Sequence, residues 1–181
     1  MAKFLYSAAM SLDGFIAGPG GDMSWLTAYF GPNPVVDELI PRVGALLVGG
    51  RTYGGDDPHR GQEGEGKAFD GSWDGPQIVL TRRPERAATP GVSFTDDIAH
   101  AIAASAKAAD DLYVTVLGAD VAAQCLALGV LDEVLVSVAP LMLGDGVRLF
   151  DRAGGTRVPL EPVGVTHTAT VANLWFRIIR P

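Results

Sequence analysis

The apolar run Ala45-Leu46-Leu47-Val48 stops on Gly49-Gly50 and is followed at once by Arg51-Thr52-Tyr53, so a buried strand ends where a cation and hydroxyls begin. The pattern recurs at Ile78-Val79-Leu80 before Thr81-Arg82-Arg83, and in part at Tyr113 to Leu117 before Gly118-Ala119-Asp120. Short, continuously apolar runs bounded by turn residues are strands covered on both faces, the signature of a parallel sheet. In open α/β sheets ligands collect beyond the carboxyl ends of the strands, where backbone N–H groups and helix starts are free. Three such exits point to one site for a phosphorylated ligand at one sheet edge.

The chain's 181 residues, 48% of them hydrophobic, suffice for one substantial core. A formal charge of -7 and a pI near 4.8 argue against nucleic acid or an anionic membrane as partner, because phosphate backbones need clustered Lys and Arg. The single Cys125 excludes an internal disulfide and a Cys-rich zinc site, and no metal is expected. Residues 1–30 lack a basic start followed by a long apolar stretch, and no run approaches the roughly 18 to 20 apolar residues of a membrane span. The expectation is a cytoplasmic protein.

Along the chain, Lys3 to Met10 reads as a first strand closed by the turn Asp13-Gly14. Gly31-Pro32-Asn33-Pro34 precedes a helix with Val35, Val36, Leu39, Ile40 and Val43 on its apolar face, shortened or kinked by Pro41. The polar segment from Gly54 to Pro76 is an insertion with too few apolar residues for its own core, anchored at its far end by Phe69 and Trp73. Gln77 to Leu80 and Val92 to Phe94 are strands around a turn region, Thr81 to Pro90. Thr95 then reads as N-cap, with Asp96 and Asp97 in the first turn of a helix whose face is Ile98, Ala101, Ile102, Ser105 and Ala109. A strand from Leu112 to Leu117, a deeply packed helix from Ala119 to Leu128 and a strand from Glu133 to Val138 follow, and Gly129 caps the helix. Val163 to Thr170 and Ala172 to Ile179 alternate with period two and predict an antiparallel hairpin. The order predicts an α/β fold with a mixed sheet.

Taken together, Ser11-Leu12-Asp13-Gly14-Phe15-Ile16-Ala17, Gly50-Arg51-Thr52-Tyr53, Leu80-Thr81-Arg82, Val130-Leu131-Asp132-Glu133 and Pro140-Leu141-Met142-Leu143-Gly144 resemble the dihydrofolate reductase-like family. The nearest branch is the reductase domain of riboflavin-biosynthesis deaminase-reductases and its stand-alone relatives. The resemblance implies a three-layer fold over 1–181: a mixed, mostly parallel sheet, helices on both faces, a C-terminal antiparallel hairpin, and the insertion at about 54–76. It also implies NADPH as cofactor and hydride transfer. Carried over, Gly50, Arg51 and Thr52 sit at the cofactor phosphates, Thr81, Arg82 and Arg83 flank the adenosine 2′-phosphate, and Leu117, Gly118, Ala119, Asp120 and Val121 wrap the pyrophosphate at a helix start. Ala9 and Ile16 approach the nicotinamide. Asp13, Trp25 and Asp37 are the substrate-side candidates, Asp37 standing nearest to the acidic residue with which dihydrofolate reductases bond the pterin. The family shows a glycine pair where this chain has Leu117-Gly118, and a Cβ at the first position restricts the backbone where phosphate approaches.

Beside that resemblance, other chemistry has little support. His59, His100 and His167 share no spacing with carboxylates and are expected to be solvated; Ser7, Ser11 and Ser24 belong to no Ser/His/Asp set. The expected activity is NADPH-dependent reduction of a small heterocycle, a ribosylaminopyrimidine of riboflavin synthesis first and dihydrofolate second. A nucleotide-binding relative without turnover and a ligand-free dimer scaffold are the other readings. A homodimer through Leu174, Trp175 and Phe176 is expected, and the catalytic acid is left unassigned.

Overall fold

A computed structural model describes residues 1–61, 65–83 and 89–180. Eight strands form one sheet in the order β5-β4-β3-β6-β1-β7-β10-β9. They are β1 (Lys3–Ser11), β3 (Val43–Gly49), β4 (Gln77–Leu80), β5 (Val92–Thr95), β6 (Tyr113–Leu117), β7 (Leu131–Ala139), β9 (Leu160–His167) and β10 (Ala172–Ile178). Strands β1, β3, β4, β5, β6 and β7 are mutually parallel, while β10 runs antiparallel to both β7 and β9. The short β2 (Phe15–Ala17) and β8 (Val147–Arg148) pair in a second, two-stranded sheet.

The apolar runs are buried on both faces as a parallel sheet requires. Phe4, Tyr6, Val114, Val116 and Val134 pack on one face with Ala101 and Ala109 of α3 (Ile98–Ala109) and Val121, Ala122 and Cys125 of α4 (Ala119–Ala127). Leu5, Leu46, Val48, Val79 and Leu135 pack on the other with Leu39 of α1 (Pro34–Leu39). Burial pushes the Cys125 thiol up to about 12, so it stays protonated and inert. From the central strands the chain leaves in opposite senses: β1 continues through α1 toward β3, and β6 through α4 toward β7. Right-handed crossovers put those two helices on opposite faces and open a crevice at the strands' carboxyl ends.

Several expectations need correction. Val43 does not extend the first helix. α1 ends at Leu39, a 3₁₀ turn covers Ile40–Arg42 around Pro41, and Val43 begins β3, buried. The N-cap of α3 is Asp97, whose Oδ1 accepts from the backbone N–H of Ala99 and His100; Thr95 is held in β5 opposite Leu80. The first hairpin strand begins and ends three residues earlier than its alternation indicated, the second begins at Ala172 as expected, and β2 and β8 had no sequence signal because two or three residues carry no periodicity. In the 54–76 segment, Trp73 donates from Nε1 to the Val43 carbonyl at 2.9 Å and packs with Phe69 against the second core cluster. Residues 62–64 of that segment and 84–88 of the turn after β4 lie outside the described residues. Among the described residues no helix is long and apolar enough to cross a membrane.

Candidate functional site

Three adjacent strand ends meet at the carboxyl edge. Gly49 ends β3, and the single turn α2 (Gly50–Tyr53) follows. A Cβ on Gly50 would stand 2.8 Å from Thr81 Cβ and 2.9 Å from its Oγ1, so the β3 and β4 exits touch. A Cβ on Gly118 would stand 2.5 Å from Thr52 Oγ1, so the β3 and β6 exits touch as well. Gly118 has φ +108° and ψ 137°, a region for glycine, and it is the N-cap of α4 with no side-chain cap bond. Leu117 is an ordinary strand residue, so the conformational demand at this exit falls on Gly118. Gly50, Thr52, Thr81 and Gly118 thus form one patch, with α4's first N–H groups beside it.

Arg51, Arg82 and Arg83 rim this edge, exposed, and among the described residues none of them makes an ion pair. Ala119 is half-buried. Asp120 is exposed and accepts from Gln124 Nε2 at 3.2 Å, while the Val121 side chain is 1% exposed in the core, so only its backbone can face a ligand.

The other half of the crevice is built on β1. Ala9 is half-buried on this central strand, opposite Ser137 of β7, and Ile16 is half-buried in β2. Asp13 is a staple: Ser11 Oγ donates to its Oδ1 at 2.6 Å, and the N–H groups of Leu143 and Gly144 donate to Oδ1 and Oδ2 at 3.0 and 2.7 Å. With Leu12 N–H on the Leu141 carbonyl, this clamps the first loop to the 140–146 turn. The Ser11 hydroxyl foremost, against desolvation and with the help of the Leu143 and Gly144 backbone N–H groups, holds the Asp13 carboxyl below the usual carboxylate range. A carboxyl lowered on folding stabilises the native state above its unfolded pKa, and that contribution is lost as pH falls through its folded pKa. The gap in urea midpoint between wild type and Asp13→Ala is therefore expected to be full at about pH 6 and to shrink as pH falls below about 4.

Trp25 lies in a 3₁₀ turn (Ser24–Tyr29), and its indole Nε1 is buried without a partner among the described residues. Asp37 is exposed on α1, whereas Leu39 is the residue that helix buries. His59 is not solvated as expected: its ring stacks on Phe30 at 4.4 Å and its Nδ1 lies 3.4 Å from Asp70 Oδ1. Together with Met23 N–H on Asp56 Oδ2 at 3.0 Å, this closes the 54–61 stretch over the loop that carries Trp25. What sequence reasoning missed is a polar cluster beneath α1, in which Asn33 bonds Asn173 and Asn173 bonds Ser137. The only local signal was an asparagine between two prolines.

Comparisons with known proteins agree with this architecture. The family model described as the RibD C-terminal domain matches residues 2–173. Among solved structures, a protein assigned to riboflavin biosynthesis in Shewanella sp. PV-4 superposes with TM-score 0.72 at 22% identity, over 99% of this chain and 100% of that one. A diaminohydroxyphosphoribosylaminopyrimidine deaminase/5-amino-6-(5-phosphoribosylamino)uracil reductase from Thermotoga maritima gives TM-score 0.70 at 23% identity, over 98% of this chain and 57% of that one. The riboflavin biosynthesis reductase Rib7 of Saccharomyces cerevisiae gives 0.62 at 16%, over 98% and 90%. No curated protein matches the sequence significantly.

Proposed function

The chain belongs to the RibD C-terminal domain family, and from that membership we propose that residues 1–181 act as one NADPH-dependent reductase domain on a small heterocycle of the 5-amino-6-(5-phosphoribosylamino)uracil type. The observation that carries the reading is the double contact of Gly50 with Thr81 and Thr52 with Gly118, which draws three strand ends into a side-chain-poor cradle rimmed by arginines that make no ion pair among the described residues. Such a cradle fits a dinucleotide, because phosphate oxygens approach backbone N–H groups where no Cβ intervenes. Arg51, Arg82 and Arg83, with Thr81, would hold the 2′-phosphate; the backbone from Gly118 to Val121 would hold the pyrophosphate. Ala9 and Ile16 would flank the nicotinamide, and the Trp25 indole N–H, without a partner among the described residues, would meet an acceptor on that side. When bound, NADPH supplies a hydride to an electron-poor carbon of the substrate. The chain's own part is placement and exclusion of water, through the Asp13 staple and the His59–Phe30 closure.

The exposed Asp37 offers no buried carboxylate to a pterin, which favours the aminouracil reading over dihydrofolate. A cytoplasmic homodimer belongs to the same proposal. Its surface differs from the expected one: Trp175 packs in the chain's own second core cluster, and the exposed apolar residues of the hairpin are Leu160, Val163 and Val165 on the edge strand β9.

Thermal melts with NADPH and NADH test the cofactor. Saturating NADPH is expected to raise Tm by several degrees, and Arg51→Ala or Arg82→Ala to lose about tenfold to a hundredfold of the preference for NADPH over NADH, the worth of one charge-assisted phosphate contact. Unchanged selectivity in both variants refutes the arginine assignment; no shift with either nucleotide refutes the cofactor.

A further inference from the structure

On the face that α1 covers, a row of polar side chains crosses β7, β10 and β9 and meets the apolar Ala9 of β1. Ala9 of β1 stands opposite Ser137 of β7, Ser137 opposite Asn173 of β10, and Asn173 opposite Thr166 of β9. Asn173 is 2% exposed and every bonding position of its amide is taken. Its oxygen accepts from Asn33 Nδ2 at 3.0 Å and from Ser137 Oγ at 2.8 Å; its nitrogen donates to Asn33 Oδ1 at 3.0 Å and to Thr166 Oγ1 at 3.4 Å. Asn33 is different. It is half-buried, and the reciprocal pair with Asn173 uses one of its two N–H groups and one of its two oxygen lone pairs.

Two further facts mark Asn33. It is the N-cap residue of α1, where an asparagine side chain ordinarily bonds the helix's first N–H groups, a contribution of about 1 kcal/mol. No such bond is made, and the side chain reaches across to β10 instead. Its backbone lies between Pro32 and Pro34, which restrict it from both sides. The result is a neutral amide on a rigid mount, its orientation coupled to that of Asn173 by the reciprocal pair, which leaves one donor and one acceptor whichever way the two amides face. Both remain over, in the row that meets Ala9.

We infer that Asn33 selects the substrate ring, taking a planar lactam or imide edge, with its C=O and ring N–H, over a protonated amidine edge, which offers only donors. The inference rests on the reductase reading for the placement of Ala9 beside the cofactor. An amide with one donor and one acceptor complements a C=O/N–H edge, whereas the donor-only edge of a protonated amidine calls for a carboxylate, and among the described residues no carboxylate belongs to this cluster.

The test compares two probes of similar size, 5,6-diaminouracil and 2,4-diaminopyrimidine, titrated calorimetrically at a pH where the diaminopyrimidine ring is protonated, into wild type, Asn33→Asp and Asn33→Ala, each with and without NADPH. Wild type is expected to prefer the uracil. Asn33→Asp is expected to shift that preference at least tenfold toward the diaminopyrimidine, and Asn33→Ala to weaken uracil binding about tenfold without strengthening the other probe, while NADPH affinity stays within about twofold in both. A merely structural Asn33 would lower Tm in both variants and leave the ratio between probes unmoved, which overturns the inference, as does a wild type indifferent to the two rings. Absence of NADPH binding in wild type counts instead against the reductase reading, and the ring preference measured without nucleotide still decides this one.

Discussion

Gly118→Ala is expected to abolish the nucleotide-induced rise in Tm and to destabilise the fold, although it adds a single methyl group. The backbone there, at φ +108° and ψ 137°, is a conformation that costs a residue with a Cβ about 1–3 kcal/mol. The added carbon would also stand 2.5 Å from Thr52 Oγ1, well inside contact distance, so either α2 or the start of α4 has to move. Both flank the cradle. Thr52→Ala removes the obstructing oxygen but not the backbone strain, so Gly118→Ala with Thr52→Ala should recover part of the loss, a coupling of about 0.5 kcal/mol or more in a double-mutant cycle of urea denaturation. Strict additivity would mean that the strand ends do not press on one another, and the cradle geometry would fall with it.

The second large effect lies at the opposite end of the sheet. Glu133 is 2% exposed near the start of β7, and its Oε2 accepts from Tyr113 Oη at 3.0 Å and Trp175 Nε1 at 2.8 Å. Lys3 Nζ stands 3.4 Å from Oε1, and Arg177 Nε 3.9 Å. Arg42 closes the set by donating to Tyr113 Oη at 3.1 Å with its guanidinium over that ring. Burial, and then the Glu133 charge, push the Tyr113 hydroxyl up to about 12, so it remains a donor at any working pH. Lys3 and Arg177 are about half exposed and contribute little; the buried Tyr113 hydroxyl and the half-buried Trp175 indole carry the energy. Glu133→Ala strands them beside a cavity and is expected to cost about 3–5 kcal/mol, or roughly 6 to 20 °C in Tm for a chain of this size. Glu133→Gln keeps the volume and one acceptor, and is expected to lose about 1–3 kcal/mol. A fall of under about 1 kcal/mol in the alanine variant would show that the network is not holding β1, β6, β7 and β10 together.

The contrast between these two sites explains what could be read from sequence. Gly118 was legible because its reason is local: an apolar run that ends in glycine ahead of a helix announces a strand exit, and the exits at Gly49-Gly50 and Thr81-Arg82 announce themselves in the same way. Glu133 was not. In the chain it is one acidic residue at the start of an apolar run, and its partners come from β6 and β10, 20 and 42 residues away. The N-cap of α3 was misread for a related reason. Thr95, Asp96 and Asp97 are all competent caps, and the choice among them is made by β5, which holds Thr95 in register with Leu80.

Asn33 shows the same division most sharply, since its side chain bonds a residue 140 positions away. Sequence by itself determined the class of fold, the parallel strands and their order along the chain, the carboxyl-edge exits and the family, because hydrophobic periodicity, glycine and proline act over a few residues and leave their mark in place. Only the tertiary structure decided which exits touch, that Asp13 staples a loop, that the Val121 and Trp175 side chains face the core, and that Asn33 leaves its own helix end to mount an amide beneath α1. Those outcomes depend on hydrogen-bonding positions being filled across strands that meet only on folding, and the free energy of filling them is shared between residues that no local pattern connects.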